Sequence, residues 1–231
     1  MPAKSATPVL TVDGPSGAGK GTVSRLLAAR SGWHLLDSGA LYRLVALAGS
    51  EAGLAEQDEA GHTRLAQELA VEFGGDAAGE ERIVLSGREV TGLVRTAQAG
   101  LGASRVAAWP GVRAALLTRQ RACAQPPGLV ADGRDMGTVV FPQAPLKIFL
   151  VASPAERARR RYNQLKDKES GVSLAALSRD IEARDRQDQN RSIAPLKPAA
   201  DAHTLDSTGL SIEQVVEQIW QLGAQRALWH A

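Results

Sequence analysis

The sequence predicts an α/β fold with a parallel sheet covered by helices on both faces. Five short apolar segments alternate with longer segments of helical pattern, and we predict the strands at residues 9–12, 33–36, 129–131, 147–151 and 203–205. Continuous apolar runs of this kind are typical of parallel strands that are buried on both faces. A glycine-rich segment directly after the first strand is the third observation, because open α/β sheets bind ligands at the carboxyl ends of their strands.

Two segments carry the residue pattern of a helix N-terminus. Ser153 can cap a helix, Pro154 suits its first position, and Glu156 can complete a capping box. Ser211 and Gln214 repeat the box near the end of the chain. Apolar residues at helical spacing follow, at Ile212, Val215, Val216, Ile219 and Trp220. We therefore expect a helix after the fourth strand and a last helix that packs on the core.

The stretch from residue 51 to residue 102 differs from the rest of the chain. Glu, Gly and Ala dominate it, and residues 83–85 and Val90 flank residues 86–89 as in a β-hairpin. A chain of 231 residues accommodates one large domain or one domain with an insertion. We predict a core of residues 1–50 and 103–231, with residues 51–102 as an inserted subdomain.

The composition limits the class of protein. Hydrophobic residues make up 44% and charged residues 23%, which is ordinary for a chain with a buried core and excludes a disordered or fibrous protein. The longest apolar run, residues 148–152, is far shorter than the roughly 20 residues of a membrane span. The first ten residues lack the apolar stretch of a signal peptide, and the single Cys123 cannot form an internal disulfide. We expect a cytoplasmic protein that does not associate with a membrane.

The charged residues indicate the class of ligand. The net charge is only +2 and aromatic residues are 4%, so a nucleic-acid groove with stacking platforms is not favoured. Arginine supplies 21 of the 27 basic residues, and its guanidinium binds phosphate bidentately, although GC-rich codons would produce the same bias. The four histidines are scattered and Cys123 has no paired ligand, so neither a zinc site nor a nucleophile is indicated. A small phosphorylated ligand fits best.

The glycine-rich segment has the composition of a phosphate-binding loop. It consists of Gly14, Pro15, Ser16, Gly17, Ala18, Gly19, Lys20, Gly21 and Thr22. Such a loop wraps an oxyanion with inward backbone N–H groups, a helix N-terminus adds its positive end, and Lys20 reaches the outer phosphates. The strict pattern has Ser or Thr directly after the lysine, whereas Gly21 precedes Thr22 here. Metal contacts through water are therefore expected.

Two further polar segments follow predicted strands. Asp37-Ser38-Gly39-Ala40-Leu41-Tyr42-Arg43 comes after the second strand and places a hydroxyl and an arginine at a helix start. Asp132-Gly133-Arg134-Asp135-Met136-Gly137-Thr138 comes after the third. Both lie where an open sheet binds ligands, so a second phosphate is a candidate occupant. A simple helix cap by Asp37 or Ser38 is the structural alternative.

Charged residues also cluster on two predicted helices. Arg184, Asp188 and Arg191 are spaced four and three residues apart, so all three are predicted on one helix face. The preceding helix carries four arginines, at Arg157, Arg159, Arg160 and Arg161. Solvated ion pairs explain either pattern, but the density of arginine favours a lid over bound phosphate.

A phosphate-binding loop is shared by switches, motors and kinases, so the function remains open on this evidence. The absence of an Asn-Lys dipeptide argues against a guanine-specific switch. The alternatives that remain are a kinase for CMP, UMP, AMP or a non-nucleotide acceptor, and a nucleotide-dependent switch that a partner protein reads. A kinase would consume ATP only with its acceptor, whereas a switch would show no acceptor-dependent turnover.

Four segments together resemble the bacterial-type cytidylate kinases, over almost the whole chain. They are DGPSGAGKGT at 13–22, WHLLDSGALYR at 33–43, ADGRDMGTVVFP at 131–142 and DSTGLSIEQV at 206–215. The resemblance implies a P-loop kinase core with a five-stranded parallel sheet, a helical lid at about residues 155–170, and a monophosphate-binding subdomain at residues 51–102. It implies transfer of the γ-phosphoryl group of ATP to CMP or dCMP with Mg²⁺, giving ADP and CDP or dCDP. We also expect a monomer.

The resemblance further implies roles for individual residues. Residues 14–22 would bind the phosphates of ATP. The acceptor phosphate would be held by Ser38, Arg43, Arg134 and Arg191. The cytosine edge would be recognised by Ser104, Arg113 and Asp135, and the sugar by Arg184 and Asp188. A carboxylate such as Asp135 favours the amino group of cytosine over the carbonyl of uracil, so UMP should be the poorer substrate.

The same resemblance suggests how the transfer is catalysed. The acceptor is an ionised phosphate oxygen, so positioning and charge neutralisation matter more than a general base. Lys20 and Arg134 would neutralise charge, while Arg157 and Arg161 from the lid would exclude water. Asp132 would orient magnesium-bound water, or else cap its loop.

Overall fold

The computed structural model describes residues 7–75, 81–166 and 173–229, which divide into two compact units. The first unit comprises Met1–Asp37 and Arg121–Ala231, and the second comprises Ser38–Gln120. The predicted inserted range, residues 51–102, lies inside the second unit.

The first unit contains a five-stranded parallel sheet in the order β2-β6-β1-β7-β8. Its strands are β1 (Val9–Asp13), β2 (His34–Asp37), β6 (Leu129–Gly133), β7 (Leu146–Val151) and β8 (His203–Asp206). All five strands predicted from the sequence are therefore confirmed, within two residues at each end. The predicted α/β fold with a five-stranded parallel sheet is therefore confirmed.

Helices flank this sheet. They are α1 (Lys20–Ser31), a five-residue π-helix (Met136–Val140), α7 (Pro154–Leu165), α8 (Leu174–Gln189) and α9 (Ile212–Gln225). Burial of apolar side chains holds them on the sheet: Leu27 of α1 and Ile219 of α9 pack in one core cluster with Leu10, Val12 and Leu150 of the central strands. Because β1 is the middle strand, the loop that follows it leaves the centre of the sheet.

The predicted helix starts are confirmed, with one difference. Ser211 and Gln214 form the complete capping box of α9. Ser153 caps α7 by accepting the N–H of Glu156, but the Glu156 carboxylate binds Arg159 and Arg160 instead of returning to Ser153. The arginine-rich sequence of α7 offers charged partners at i+3 and i+4, which compete successfully with the backbone N–H.

The second unit contains a three-stranded antiparallel sheet and several helices. Its elements are α2 (Ser38–Glu51), α3 (Glu59–Gln67), β3 (Val71–Gly75), β4 (Glu81–Leu85), β5 (Arg88–Glu89), α4 (Thr91–Val94), α5 (Ala97–Val106) and most of α6 (Pro110–Ala122). The predicted hairpin is β4–β5, and its turn residues Ser86 and Gly87 both have positive φ, at 49° and 81°. Strand β3 was not predicted from the sequence.

In the described part of the chain, every helix is too short or too polar to cross a membrane.

Candidate active site

The glycine-rich segment joins the central strand β1 to helix α1. Gly14, Gly17 and Gly19 have positive φ values of 147°, 78° and 96°. A β-carbon at Gly14 would lie 2.0 Å from the backbone oxygen of Leu150 in β7, so only glycine fits where the loop leaves the sheet. The first residue of α1 is Lys20, which places the loop at a helix N-terminus as a phosphate site requires.

Lys20 is a buried cation at the centre of this loop. Its ammonium donates a hydrogen bond to the carbonyl oxygen of Pro15 at 3.0 Å, and the residue is only 6% exposed. Burial is the main cause that lowers the pKa of Lys20 to about 7; the positive charges of Arg134 and Arg184 contribute to this shift, and Asp132 and Asp13 oppose it. Lys20, Arg134 and Arg184 therefore repel one another, and a bound anion would reduce this repulsion.

Asp132 lies beside the start of α1. A β-carbon added to Gly21 would lie 3.3 Å from the Asp132 carboxylate oxygen Oδ2, which is tighter than ordinary contact. Glycine at this position therefore lets the buried carboxylate approach the helix. In the residues that the structure describes, no cluster of three or more His, Cys, Asp or Glu side chains could hold a metal ion. Proteins often hold Mg²⁺ through one or two carboxylates together with the phosphates of a bound ligand, and the carboxylate of Asp132 fits that arrangement.

Asp13, the last residue of β1, is a site residue that the sequence analysis missed. Its two carboxylate oxygens accept the N–H groups of Met136 and Gly137, each at 2.8 Å. The pKa of Asp13 is raised to about 7, mainly by burial and also by the negative charge of Asp135, against the opposing effects of the two N–H groups and Lys20. The only sequence signal was its position directly before Gly14.

Arg134, Asp188 and Arg191 form a buried ion-pair cluster. The Asp188 carboxylate is 1% exposed and accepts hydrogen bonds from Arg134 Nε at 3.0 Å and from Arg191 Nη2. Burial alone would raise the pKa of Asp188, but Arg134, Arg191 and Arg184 hold it below its ordinary value. Arg184 and Asp188 lie on α8 as predicted, but α8 ends at Gln189, so the prediction that all three residues share one helix face is wrong for Arg191. The cluster is centred on a buried carboxylate, so the alternative of solvated ion pairs on the surface does not apply to it.

Asp135 lies between this cluster and the π-helix. Its side chain is buried, and its carbonyl oxygen accepts the N–H groups of Val139 and Val140 at 2.9 and 3.2 Å. The residue is thus held in place by the helix that follows it.

The two arginines predicted to act from the lid lie in different surroundings. Arg157 is 3% exposed and forms a bidentate pair with Asp185 at 3.0 and 2.6 Å. It also donates to the carbonyl oxygens of Ser16 and Ala152. Arg157 therefore holds the glycine-rich loop through the carbonyl oxygen of Ser16. Arg161 is bonded to Gln164 of its own helix at 3.5 Å.

Arg160, which the sequence analysis did not select, contacts the loop. It donates to the carbonyl oxygen of Ala18 at 3.2 Å and to that of Ser207 at 2.7 Å. Arg160 and Ser207 thus hold the loop at Ala18, two residues after the carbonyl oxygen that Arg157 binds. Part of the predicted lid, residues 167–170, lies outside the described residues.

In the second unit, Ser38 and Arg43 lie on α2. Ser38 is buried and its hydroxyl oxygen accepts a hydrogen bond from the amide of Gln120 at 2.9 Å. Arg43 donates to the carbonyl oxygens of Val94 and Thr96 at 2.8 and 3.0 Å. Because Gln120 donates to Ser38, the Ser38 proton is available for an acceptor such as a phosphate oxygen.

Ser104 on α5 and Arg113 on α6 are the other predicted site residues of this unit. Ser104 is 4% exposed, and no described group lies within hydrogen-bonding distance of its hydroxyl oxygen. Arg113 donates to the carbonyl oxygen of Ala107 at 3.3 Å and lies over the ring of Tyr42, 5.9 Å from its centroid. A buried hydroxyl without a partner is costly in a folded protein, which is consistent with a ligand contact at Ser104.

Comparison with known proteins gives concordant matches. A family model described as cytidylate kinase matches residues 10–225. The cytidylate kinase of Pseudomonas fluorescens strain Pf0-1 is 61% identical over 213 residues, which cover 92% of this chain and 93% of that protein. The cytidylate kinase of Pseudomonas aeruginosa strain UCBPP-PA14 is 60% identical over 215 residues, covering 93% of this chain and 94% of that protein.

Proposed function

The chain belongs to the cytidylate kinase family, and on that premise we propose how its residues transfer the γ-phosphoryl group of ATP to CMP or dCMP. The products are ADP and CDP or dCDP. One observation carries the assignment: in a chain that matches the cytidylate kinase model over residues 10–225, the glycine-rich loop leaves the central strand β1 and opens α1 at the buried Lys20. The positive charges near Lys20, among them Arg134 and Arg184, would be stabilised by the anionic phosphates of two nucleotides.

On the donor side, residues 14–22 bind the phosphates of ATP. The backbone N–H groups of the loop and of the start of α1 surround the phosphate oxygens, and Lys20 neutralises charge on the group being transferred. Arg157 and Arg160 act on the loop itself, because their guanidinium groups bind its carbonyl oxygens at Ser16 and Ala18. In this proposal Arg157 is a positioning residue, and Arg161 remains available to close over the phosphates.

Mg²⁺ would be held by the ATP phosphates and, through water, by Asp132. When bound, it neutralises phosphate charge and orients the γ-phosphoryl group. The protein contributes the small residue Gly21, which leaves room for the Asp132 carboxylate beside the helix start.

On the acceptor side, Arg134 and Arg191 bind the phosphate of CMP, and Ser38 and Arg43 of the second unit are proposed for the same phosphate. Arg184 and Asp188 are proposed to contact the sugar. Ser104, Arg113 and Asp135 are proposed to recognise cytosine, with the Asp135 carboxylate accepting from the exocyclic amino group. The burial of Asp135 and Ser104 supports this, because buried polar groups reject a base that leaves them unpaired.

The attacking oxygen of CMP is already ionised, so the chain needs no strong general base. Catalysis consists of holding the two phosphates in line, neutralising their charge and excluding water. We further propose that the second unit, which contains residues 51–102, is the monophosphate-binding part, and that the enzyme acts as a cytoplasmic monomer.

A substrate panel tests the proposed reaction. ADP release is measured with Mg-ATP and CMP, dCMP, UMP, AMP or no acceptor. We expect turnover with CMP and dCMP, much less with UMP or AMP, and little ATP hydrolysis without acceptor. Equal rates with UMP would contradict the roles of Asp135 and Arg113, and turnover that does not depend on any acceptor would favour a nucleotide-dependent switch.

Binding of ATP should be accompanied by proton uptake at pH 8. Free Lys20, with a pKa of about 7, is mostly neutral at that pH, and nearby phosphate charge raises its pKa, so the ammonium form becomes populated on binding. Calorimetry in buffers of different ionisation enthalpy should show an uptake that approaches one proton. Lys20→Met should abolish it, and an unchanged uptake in that variant would assign the proton to another group.

A further inference from the structure

Asp13 takes no direct part in the proposed reaction, yet it connects two loops that do. Its backbone ends β1 and precedes Gly14 of the phosphate-binding loop. Its carboxylate holds the N–H groups of Met136 and Gly137, at the start of the π-helix. One residue thus joins the donor-binding loop to the chain segment that carries Arg134 and Asp135.

The segment between β6 and the π-helix is held at both ends by Asp13. Gly133, the last residue of β6, is the strand partner of Asp13 in the parallel sheet. Met136, three residues later, is bonded to the Asp13 carboxylate. Arg134 and Asp135 therefore form a two-residue bridge. One end of the bridge lies beside the backbone of Asp13, and the other is bonded to the Asp13 carboxylate.

We propose that Asp13 is a positioning residue for the acceptor, which sets where Arg134 and Asp135 present their side chains to CMP. The inference rests on the proposed function, because it takes Arg134 and Asp135 as CMP-binding residues. The phosphate-binding loop does not depend on the same contact, since Arg157 and Arg160 hold it through Ser16 and Ala18. Loss of the carboxylate should therefore affect the acceptor and leave the donor site intact.

Only a carboxylate supplies both contacts. Asp13 is 5% exposed, so water does not replace a lost partner. An asparagine at this position has one acceptor oxygen and an amide nitrogen that donates, so it can satisfy one of the two N–H groups and opposes the other. Asp13→Asn therefore removes one of the two hydrogen bonds that hold the Met136 end of the bridge, while the volume of the side chain stays almost the same.

Thr11 offers a matched control on the same strand. Side chains two residues apart in a strand share one face of the sheet, and Thr11 is as buried as Asp13. Its hydroxyl oxygen has no hydrogen-bond partner among the described residues. Thr11→Val therefore changes a buried polar group beside Asp13 without breaking a bond to the π-helix.

The test measures KM for CMP and for Mg-ATP separately. We expect Asp13→Asn to raise KM for CMP by about tenfold and to leave KM for Mg-ATP close to the wild-type value. Thr11→Val should leave both constants unchanged. Equal increases in both constants, an increase for ATP alone, or no increase at all would each overturn the proposal.

Amide hydrogen exchange in the substrate-free protein gives a second readout. In the wild type, the amides of Met136 and Gly137 should be protected. Asp13→Asn should accelerate exchange in residues 134–138 but not in the loop of residues 14–19. Unprotected amides in the wild type, or unchanged exchange in the variant, would contradict the proposed contact.

These readouts separate the inference from the function on which it rests. A wild-type protein without CMP-dependent turnover would refute the proposed function, and hydrogen exchange would still decide whether Asp13 holds the bridge. If Asp13→Asn does not fold, Asp13→Glu is the second variant. It keeps the charge, but its extra methylene displaces the carboxylate from both N–H groups, so the same selective rise in KM for CMP is expected. A wild-type KM in that variant would overturn the proposal.

Discussion

Lys20→Ala is expected to lower kcat by about 10²–10³-fold or more, which is the usual cost of removing a group that stabilises charge in the transition state. The lysine is buried within the loop, and Arg134, Arg184 and Asp132 are the charges that shift its pKa most. Its ammonium is the charged group of the loop that can stay close to the phosphoryl group and stabilise its negative charge during the transfer. CMP binding should remain largely intact, because Lys20 is proposed to contact the donor.

Stability measurements exclude a trivial cause for this loss. The pKa of Lys20 in the folded protein, about 7, lies below its ordinary value of 10.5. The contribution of this group to the free energy of unfolding is therefore fully present above pH 10.5 and is lost as the pH falls towards 7. At neutral pH the buried lysine thus destabilises the folded protein. Lys20→Ala should unfold at no lower a temperature than the wild type.

Lys197→Ala, which removes an exposed lysine, is the control and should behave as the wild type. Near-normal turnover of Lys20→Ala would remove Lys20 from the mechanism.

Asp188→Ala is expected to weaken both CMP binding and the fold. The variant leaves the guanidinium groups of Arg134 and Arg191 side by side, where Asp188 now accepts a hydrogen bond from each. Breaking a buried ion pair by removal of one partner costs about 3–5 kcal/mol. Thermal or denaturant unfolding should show a loss of this order, and KM for CMP should rise by about tenfold or more.

The donor site offers an internal comparison for Asp188. KM for Mg-ATP should change much less than KM for CMP, because the loop of residues 14–19 has its own contacts. Asp180→Ala, an exposed position on the same helix, should leave stability and both constants unchanged. Wild-type CMP affinity in a folded Asp188→Ala protein would contradict the acceptor assignment of Arg134 and Arg191.

The sequence predicted the elements whose signals are local. The five apolar strands and the capping box at Ser211 are encoded within a few residues, and the structure confirms them. The π-helix at Met136–Val140 could not be predicted in the same way. Its first two N–H groups are held by Asp13, which is 123 residues away from Met136 in the chain, so tertiary contact decides its position.

The environment of a charged side chain was equally hard to predict. Arg157 and Arg161 were indistinguishable as lid arginines in the sequence, because both lie on one amphipathic helix. The packing of α7 against α8 brings Asp185 to Arg157 and leaves Arg161 with Gln164. Arg184, Asp188 and Arg191 were grouped from their spacing alone, and that spacing gave no sign that the buried Asp188 also pairs with Arg134, a residue 54 positions earlier in the chain.

The contact between Gly21 and Asp132 also limits how such a loop can evolve. A hydroxyl directly after the lysine, as in the strict form of the loop, needs a β-carbon at position 21, and that carbon would lie 3.3 Å from the Asp132 carboxylate. The carboxylate would have to move by a few tenths of an ångström. A serine at position 21 therefore requires that the side chain at position 132 shift or be replaced, so the residues at these two positions are coupled.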